Sequence, residues 1–203
     1  MGKPCLLALC GSTRDSSINR RILHIMAHGA EEAGARVTHV DLRAYPLPLY
    51  EGDLEADRGL PPGAAALQIL FADHQGLLLA SPEYNGFFTP LVKNTLDWVS
   101  RPLPDGSGRP GTVHCQNMPA GIASASPGAL GGIRSLQHTR LYLANLGFLV
   151  VAGQVGVAHA GQAFDDQGHL VNRELHRRTQ SIGASVARLA ATLQGRQTAG
   201  MQR

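Results

Sequence analysis

Cysteine is scarce in this sequence, and its spacing excludes a cysteine-based scaffold. Among 203 residues only Cys5, Cys10 and Cys115 are cysteines, and no two of them form a Cys-x-x-Cys pair. An odd count without such a pair argues against a disulfide framework and against a zinc ribbon. We therefore expect a reducing compartment, and with it a cytoplasmic location.

Long apolar runs and strong net charge are also missing. The first apolar run, residues 5–9, is too short for the core of a signal peptide, and no segment approaches transmembrane length. Eighteen Lys and Arg residues against 15 Asp and Glu give a net charge of +3, and the basic residues are spread along the chain. We expect neither a membrane nor a nucleic acid partner, whereas a small anionic ligand fits this balance.

Several catalytic signatures are absent. His24 and His28 lie one helical turn apart, but no Glu completes a His-Glu-x-x-His motif, so no metal site is expected. No serine occurs in a Gly-x-Ser-x-Gly frame, which argues against a serine hydrolase. A Walker lysine and a G-x-G-x-x-G loop after the first strand are missing too, which weakens the kinase and dinucleotide-domain hypotheses.

The sequence does contain apolar runs that alternate with amphipathic segments. The runs predict five strands, at residues 5–9, 37–42, 76–80, 120–124 and 148–151. Helical spacing predicts helices over residues 18–34, 64–72, 91–99, 133–146 and 175–193. This alternation predicts one α/β domain over residues 1–203, a doubly wound sandwich with a five-stranded parallel sheet. A surface excursion at residues 102–117 carries one further strand candidate, residues 112–115, and the polar tail after Gly195 is expected to be frayed.

Polar loops follow three of the strands, at residues 10–17, 81–89 and 124–132. Ligands of such sheets bind beyond the carboxyl ends of the strands, so the three loops predict one site. The first loop offers Ser12, Arg14, Ser17 and Asn19 beside the start of a helix at Ile18, which is the chemistry of a phosphate cradle. Ser and Asn also cap ordinary helices, so on this loop alone a purely structural role is equally well predicted.

Four segments carry a resemblance to a known family. They are Gly-Ser-x-Arg-x-x-Ser-x-Asn at residues 11–19, Pro-Glu-Tyr-Asn at residues 82–85, Lys-Asn-x-x-Asp-Trp at residues 93–98, and Ser-Ala-Ser-Pro-Gly at residues 124–128 with Gly131 and Gly132. Over about residues 5–151 the chain resembles the NADPH-dependent FMN reductase family. The resemblance implies a flavodoxin-like fold with bound FMN.

The resemblance also implies a site. The phosphate of FMN would contact the first loop, the edge of its isoalloxazine would face the second, and the third would supply further amides. The expected cofactor-binding residues are Ser12, Arg14, Ser17, Ile18, Asn19, Pro82, Glu83, Tyr84, Asn85, Gly86, Ser124, Ser126, Gly128 and Gly131. No side chain is assigned a catalytic proton, because the flavin itself carries the hydride chemistry. Glu83 has the alternative role of anchoring its loop or a subunit contact.

The expected activity is that of an oxidoreductase. Hydride would pass from NADPH, or NADH, through the flavin to a small acceptor such as a free flavin, a quinone, an azo compound or an oxidised metal ion. The alternative is a non-enzymatic FMN electron carrier, against which the positive net charge argues because carriers tend to present acidic docking faces.

The aromatic residues bear on assembly. The segment Phe87-Phe88-Thr89-Pro90 departs from the smaller or more polar residues that many family members carry there, which leaves the acceptor open. For Trp98 on its helix, packing is the favoured role. We expect Phe87, Phe88 and the helix of Trp98 to expose apolar surface on a monomer, and therefore a homodimer or homotetramer.

Overall fold

Five parallel strands form the centre of the computed structural model. It describes residues 2–200, with the backbone alone described for residues 196–200. The strands are β1 (Cys5–Cys10), β2 (Arg36–Val40), β3 (Gly76–Ala80), β4 (Pro119–Ala125) and β5 (Leu149–Val157). The predicted parallel sheet is confirmed, although β5 extends six residues further than the apolar run indicated.

The strand order is β2-β1-β3-β4-β5, with every neighbouring pair parallel. This order is that of flavodoxin-like sheets, so the expected fold is confirmed. The chain leaves β1 toward one edge of the sheet and returns to β3 on the other side of β1. The loops after β1 and β3 therefore separate at their carboxyl ends, where such sheets bind ligands.

The described residues contain six helices, of which all but the second pack on the two faces of the sheet. They are α1 (Ile18–Glu32), α2 (Gly52–Arg58), α3 (Pro62–Asp73), α4 (Pro90–Val99), α5 (Ile133–Asn145) and α6 (Arg173–Gly200). Side chains such as Leu6 and Ala8 pack against α1 and α6, whereas Leu7 and Leu9 pack against α3, α4 and α5. Because successive strand residues point to opposite faces, one apolar run supplies both cores.

Two helices on the same face approach each other closely. A β-carbon at Gly29 of α1 would collide with the backbone of Gln180, and one at Gly183 of α6 would collide with the backbone of Met26. Glycine at these two positions therefore lets the backbones of α1 and α6 approach closely.

The excursion at residues 102–117 differs from the prediction. Its Gly111–His114 segment is a 3-10 turn and not a strand. The backbone N–H of Val113 donates to Pro110 at 3.1 Å and that of Cys115 to Thr112 at 2.9 Å, so local bonds satisfy this backbone. The β-branched pair Thr112 and Val113 gave a strand-like pattern, but both edges of the nearby β4 are already paired.

The last two features of the fold are the C-terminal backbone and the apolar character of the helices. The backbone is helical to Gly200. The side chains of residues 196–200 and the whole of residues 201–203 lie outside the described part, so a frayed tail stays a prediction. Within residues 2–200, none of the helices combines the length and the apolar character that crossing a membrane requires.

Candidate functional site

Hydrogen bonds join the three polar loops at the carboxyl edge of the sheet. The hydroxyl of Thr89 donates to the carbonyl of Gly11 at 2.8 Å, which ties the second loop to the first. The backbone N–H of Ser81 donates to Ala123 at 3.1 Å, which ties the second loop to β4. Gly11 leaves no space for a side chain, since its β-carbon would lie 2.5 Å from Ser81 Oγ. The loops thus converge on one site, as predicted.

The first loop ends at the start of α1 with a conventional cap. Ser17 is the N-cap residue, and its Oγ accepts from the backbone N–H of Arg20 at 3.3 Å. The backbone N–H groups of Ile18 and Asn19 have no hydrogen-bond partner among the described residues. Such free amides at a helix N-terminus form a binding site for an anion.

Arg14 adds an uncompensated positive charge to this loop. Its side chain is exposed, and within the described residues its guanidinium makes no hydrogen bond or ion pair. The neighbouring Asp15 carboxylate is bound by Arg43 at 2.6 Å, so it does not neutralise Arg14. Ser12, which is buried, accepts from the backbone N–H of Arg14 at 3.4 Å. This combination fits the phosphate of FMN.

The side chain of Asn19 was expected to contact the phosphate of FMN, but it lies in a different environment. Its side chain is buried, its Nδ2 donates to Ala125 O at 2.9 Å, and its Oδ1 accepts from Ala125 N at 2.9 Å. The side chain of Asn19 therefore ties the start of α1 to the end of β4. This contact joins the first loop to the third.

The second loop forms a tight hairpin. Tyr84 N donates to Phe87 O at 2.8 Å, and Phe87 N donates to Tyr84 O at 3.0 Å. Between them Asn85 and Gly86 have φ values of 53° and 87°, the left-handed conformation of a type I′ turn. The hairpin follows Pro82, and it holds the half-exposed ring of Tyr84 in a fixed place.

Glu83 fastens this hairpin to α5. Its side chain is only 6% exposed and binds the guanidinium of Arg134, including a bond from Nε at 2.8 Å. Its other oxygen accepts from the backbone N–H of Ser135 at 3.2 Å, in the first turn of α5. A carboxylate is stabilised at a helix N-terminus, so Glu83 has the anchoring geometry that the sequence left open for it.

The third loop is built of turns. Ser126 Oγ accepts from Gly128 N at 3.2 Å. Gly131 has a φ of 59°, and its β-carbon would lie 2.7–2.9 Å from the backbone of residues 156–158. Ser124 lies beneath the loop, fully buried, and its Oγ has no partner among the described residues. Ser126 and Gly128 are the members of this set that solvent reaches.

Aromatic rings line one side of the hairpin, and they correct an expectation. Phe88 and Trp98 are buried within the monomer, so they expose no apolar surface. Phe88 stacks on Tyr142 with ring centroids 5.0 Å apart, and Trp98 Nε1 donates to Pro48 O at 2.8 Å. Packing, the favoured role for Trp98, is confirmed. The expectation for Phe88 was wrong because α5 supplies Tyr142 as a cover from elsewhere in the chain.

Phe87 remains 45% exposed and stacks on His138 with ring centroids 4.4 Å apart. Sequence reasoning missed His138. The available signal was its position four residues after Arg134, because residues at that spacing share one helix face. Phe87 and His138 thus form a stacked aromatic pair beside the hairpin that carries Tyr84.

The Lys-Asn-x-x-Asp-Trp segment has a structural role. Asn94 Nδ2 donates to Pro48 O, and Asn94 Oδ1 accepts from Tyr50 N, both at 2.8 Å. Lys93 pairs with Asp97, whose carboxylate also accepts from Tyr142 at 2.8 Å. Burial, with the bond to Asp97, raises the pKa of Tyr142, so its hydroxyl stays protonated. These contacts fix the proline-containing loop after β2 beside α4.

Titratable and metal-ligating groups add no further chemistry to the site. Burial raises the pKa of the Cys115 thiol to about 12, so this cysteine is a packing residue. Across residues 2–200 no three His, Cys, Asp or Glu side chains lie together in an arrangement that could hold a metal ion.

Comparisons with known proteins agree with this geometry. Residues 4–162 match the model of a family described as NADPH-dependent FMN reductase. The chain is 34% identical over 197 residues to a probable NADPH:quinone oxidoreductase 1 of Oryza sativa subsp. japonica, covering 92% of each. It is 33% identical over 190 residues to an NAD(P)H-dependent FMN reductase of Pseudomonas aeruginosa, covering 91% of this chain and 96% of the relative.

A solved structure is similar over nearly the whole chain. It is the flavoenzyme NAD(P)H:(acceptor) oxidoreductase FerB from Paracoccus denitrificans, with a TM-score of 0.75 and 21% identity. The superposition covers 93% of this chain and 98% of that one. At this identity the likeness shows a common fold.

Proposed function

The chain belongs to the NADPH-dependent FMN reductase family. From this premise we propose that its three loops bind FMN and leave the flavin accessible to a small quinone. Family membership and the relatives make it a flavoprotein, an FMN-dependent NAD(P)H oxidoreductase. The observation that carries the proposed site is Arg14, a free guanidinium beside two free amides at the N-terminus of α1.

Arg14 and the start of α1 bind the phosphate of FMN. The guanidinium supplies charge-assisted hydrogen bonds, the backbone N–H groups of Ile18 and Asn19 point along the helix axis, and the hydroxyls of Ser12 and Ser17 complete the set. The side chain of Asn19 is a positioning group, because both of its polar atoms are bonded to Ala125.

The hairpin and the third loop hold the isoalloxazine. Tyr84, Asn85 and Gly86 present ring and backbone at the hairpin. On the third loop the backbone N–H groups of Ser126 and Gly128 already donate to Val157 O at 3.0 Å and to Ser126 Oγ at 3.2 Å, so these two residues contribute the shape of the exposed turn. Glu83 keeps the hairpin in place through Arg134 and takes no part in proton transfer. When bound, FMN supplies the hydride transfer from NAD(P)H to the acceptor.

A quinone is the acceptor that the mouth of the site favours. The half-exposed rings of Tyr84 and Phe87, the latter stacked on His138, offer aromatic surface on which a planar ring can stack. The rice relative is named as a quinone oxidoreductase, which points the same way. Free flavins, azo compounds and oxidised metal ions are the other acceptors to compare, with NADPH and NADH each as donor.

The electron-carrier alternative is not favoured. The relatives that match over most of the chain are named as reductases. The net charge of +3 also argues against a carrier, because carriers tend to present acidic docking faces.

The cofactor itself is the first prediction. We expect non-covalent FMN and no FAD, because the free amides and Arg14 suit a terminal phosphate. Heat release followed by chromatography identifies the pigment. Release of FAD, or failure of colourless protein to take up FMN, would contradict the role of residues 11–19.

Steady-state kinetics test the activity and test whether donor and acceptor reach the flavin through the same opening of the site. With a benzoquinone as acceptor we expect parallel double-reciprocal lines, because donor and acceptor use the same opening in turn. Steady-state rates at several NADPH and quinone concentrations measure this. Lines that intersect with two different acceptors would require a separate nucleotide site, and no quinone turnover would overturn the proposed acceptor.

We further propose that the protein is a homodimer or a dimer of dimers, through α5 and the hairpin beside it. Ile133 and Leu141 are 41% and 61% exposed and lie eight residues apart, on one face of α5. Leu130, three residues before α5, and Phe87, in the hairpin, are also exposed. A monomeric protein rarely exposes a contiguous patch of large apolar side chains, so we infer that a partner subunit buries this one.

Light scattering tests this interface. We expect the wild-type mass to be twice or four times 21.5 kDa, and Leu141→Lys to shift it toward the monomer because a buried lysine would lose its solvation. Ile69→Lys on α3 is the matched control, since Ile69 is 62% exposed, nearly the same as Leu141 at 61%. A wild-type monomer that keeps FMN on dilution would refute the assembly.

Domain count and location follow from simpler observations. We propose a single domain, because both cores pack on one sheet. We place the protein in the cytoplasm, because its three cysteines are all free.

A further inference from the structure

A second cavity lies on the face of the sheet that α1 and α6 cover, away from the hairpin and the third loop. It is a half-open cavity of about 350 Å³, lined by α1, the start of α6 and the segment between β5 and α6. Its polar lining includes Arg21, His24, His28, His169, His176 and Gln180. None of the residues expected to bind FMN takes part.

Two helices and a loop bring these histidines together. His24 and His28 are one turn apart on α1, and His176 and Gln180 are one turn apart on α6. Gln180 Nε2 lies 3.1 Å from His28 Nδ1, and the rings of His169 and His176 are 5.3 Å apart. The close approach of α1 and α6 thus gathers groups that are distant in the sequence.

Local contacts fix the tautomer of the neutral His176 ring and the position of Arg21. His176 Nδ1 accepts from the backbone N–H of Leu170 at 3.2 Å, so in the neutral ring Nε2 carries the proton. Arg21 is held in place by Phe164, whose ring centroid is 4.1 Å from its Cζ, and by Asp165 O at 3.2 Å. These contacts leave most of the guanidinium N–H groups available.

Arg21 is the one permanently charged residue among those that line the cavity. Its lining contains no carboxylate. Two carboxylates contact its histidines from outside the lining: Glu32 lies 3.5 Å from His28, and Asp165 lies 3.6 Å from His169 and already accepts from backbone N–H groups. Burial lowers the pKa of His176, and His169, Arg173 and His28 lower it further against the opposing effect of Asp165. Burial disfavours a charge of either sign at His176, whereas Arg173 and the neighbouring imidazoles favour a nearby anion.

We propose that this cavity binds a small oxyanion, either a phosphate or a carboxylate, between Arg21 and the imidazoles of His28, His169 and His176. The guanidinium supplies permanent charge, and the imidazoles supply N–H donors that become stronger on protonation. Buried Ile25 at the wall gives an apolar surface for the remainder of a larger anion. A metal ion is the weaker occupant, because no three ligating side chains among the described residues have the arrangement for one.

Titration of the nine histidines tests the proposal on the FMN-loaded protein. The probes are inorganic phosphate and, separately, acetate, each added at constant ionic strength near pH 6 and followed by the carbon-bound proton signals of the rings. We expect saturable shifts confined to the cavity histidines. Acetate keeps the same charge from pH 6 to pH 8, and we expect it to bind roughly tenfold more weakly near pH 8, because a histidine ordinarily loses its charge over this range. Saturation by phosphate alone assigns the site to phosphates, and saturation by acetate assigns it to carboxylates.

Variants separate the cavity from general charge effects. We expect Arg21→Gln and His176→Asn to weaken binding roughly tenfold, the effect of one lost charge-assisted hydrogen bond. Arg178→Gln, on exposed α6 surface outside the cavity, should leave it unchanged. Should His176→Asn fail to fold by circular dichroism, Arg21→Gln alone decides.

Three results would overturn the proposal. They are shifts that grow without saturation, shifts of similar size in all nine histidines, and an unchanged affinity in Arg21→Gln. FMN content and NADPH oxidation are measured on the same samples. Because the cavity shares no residue with the flavin site, failure here leaves the proposed function standing.

Discussion

Replacing Arg14 by alanine is expected to weaken FMN binding tenfold to a hundredfold. Hydrogen bonds to a charged group contribute about 1.5–3 kcal/mol, which corresponds to that range of affinity. Arg14 is able to donate such hydrogen bonds to the phosphate because its guanidinium is free of intramolecular partners in the described structure. Fluorescence titration of FMN-free protein with FMN measures the loss.

Two controls make this result specific. Riboflavin lacks the phosphate, so Arg14→Ala should change its affinity far less than that of FMN. Arg43→Ala removes a guanidinium next to the same loop, but one that is already paired with Asp15 and Asp41. Equal losses for FMN and riboflavin would show that Arg14 supports the fold of the loop and does not contact the phosphate.

Replacing Asn19 by alanine is expected to destabilise the protein by about 2–4 kcal/mol. The change leaves the N–H and C=O of buried Ala125 without their partners, and each unsatisfied buried group costs about 1–3 kcal/mol. For a chain of this length the midpoint of thermal unfolding should fall by roughly 5–15 °C. Calorimetry or circular dichroism on FMN-free protein measures this shift.

Asn145→Ala is the matched control, because Asn145 is exposed at the end of α5. We expect its stability to stay within about 0.5 kcal/mol of wild type. The opposite pattern for Asn19→Ala, an unchanged unfolding temperature with lost FMN affinity, would show that the Asn19 side chain contacts the phosphate directly.

The strands and most helices could be predicted because their signals are local. The run of residues 76–80 coincides with β3, and the helical spacing after Ile18 predicts α1. A strand that is apolar throughout must be covered on both faces, which already requires a doubly wound sheet. Elements with weak periodicity were missed, such as the seven-residue α2, which buries no residue.

Motif spacing located the loops but not the partners of their side chains. Glu83 binds Arg134, 51 positions away, and Asn19 binds Ala125, 106 positions away. Phe88 looked exposed because nothing in its own segment covers it, whereas α5 brings Tyr142 over its ring. Contacts of this kind depend on how helices pack across the sheet.

By itself the sequence determined the alternation of strands and helices, the convergence of three loops, and the chemistry that those loops offer. Only the tertiary structure decided which polar groups are already bonded and which remain free, as the contrast between Asn19 and Arg14 shows. It also decided that the histidines of α1 meet those before and within α6 in one cavity. Local periodicity and backbone preferences are encoded between near neighbours, whereas these meetings require the packed geometry of segments far apart in the chain.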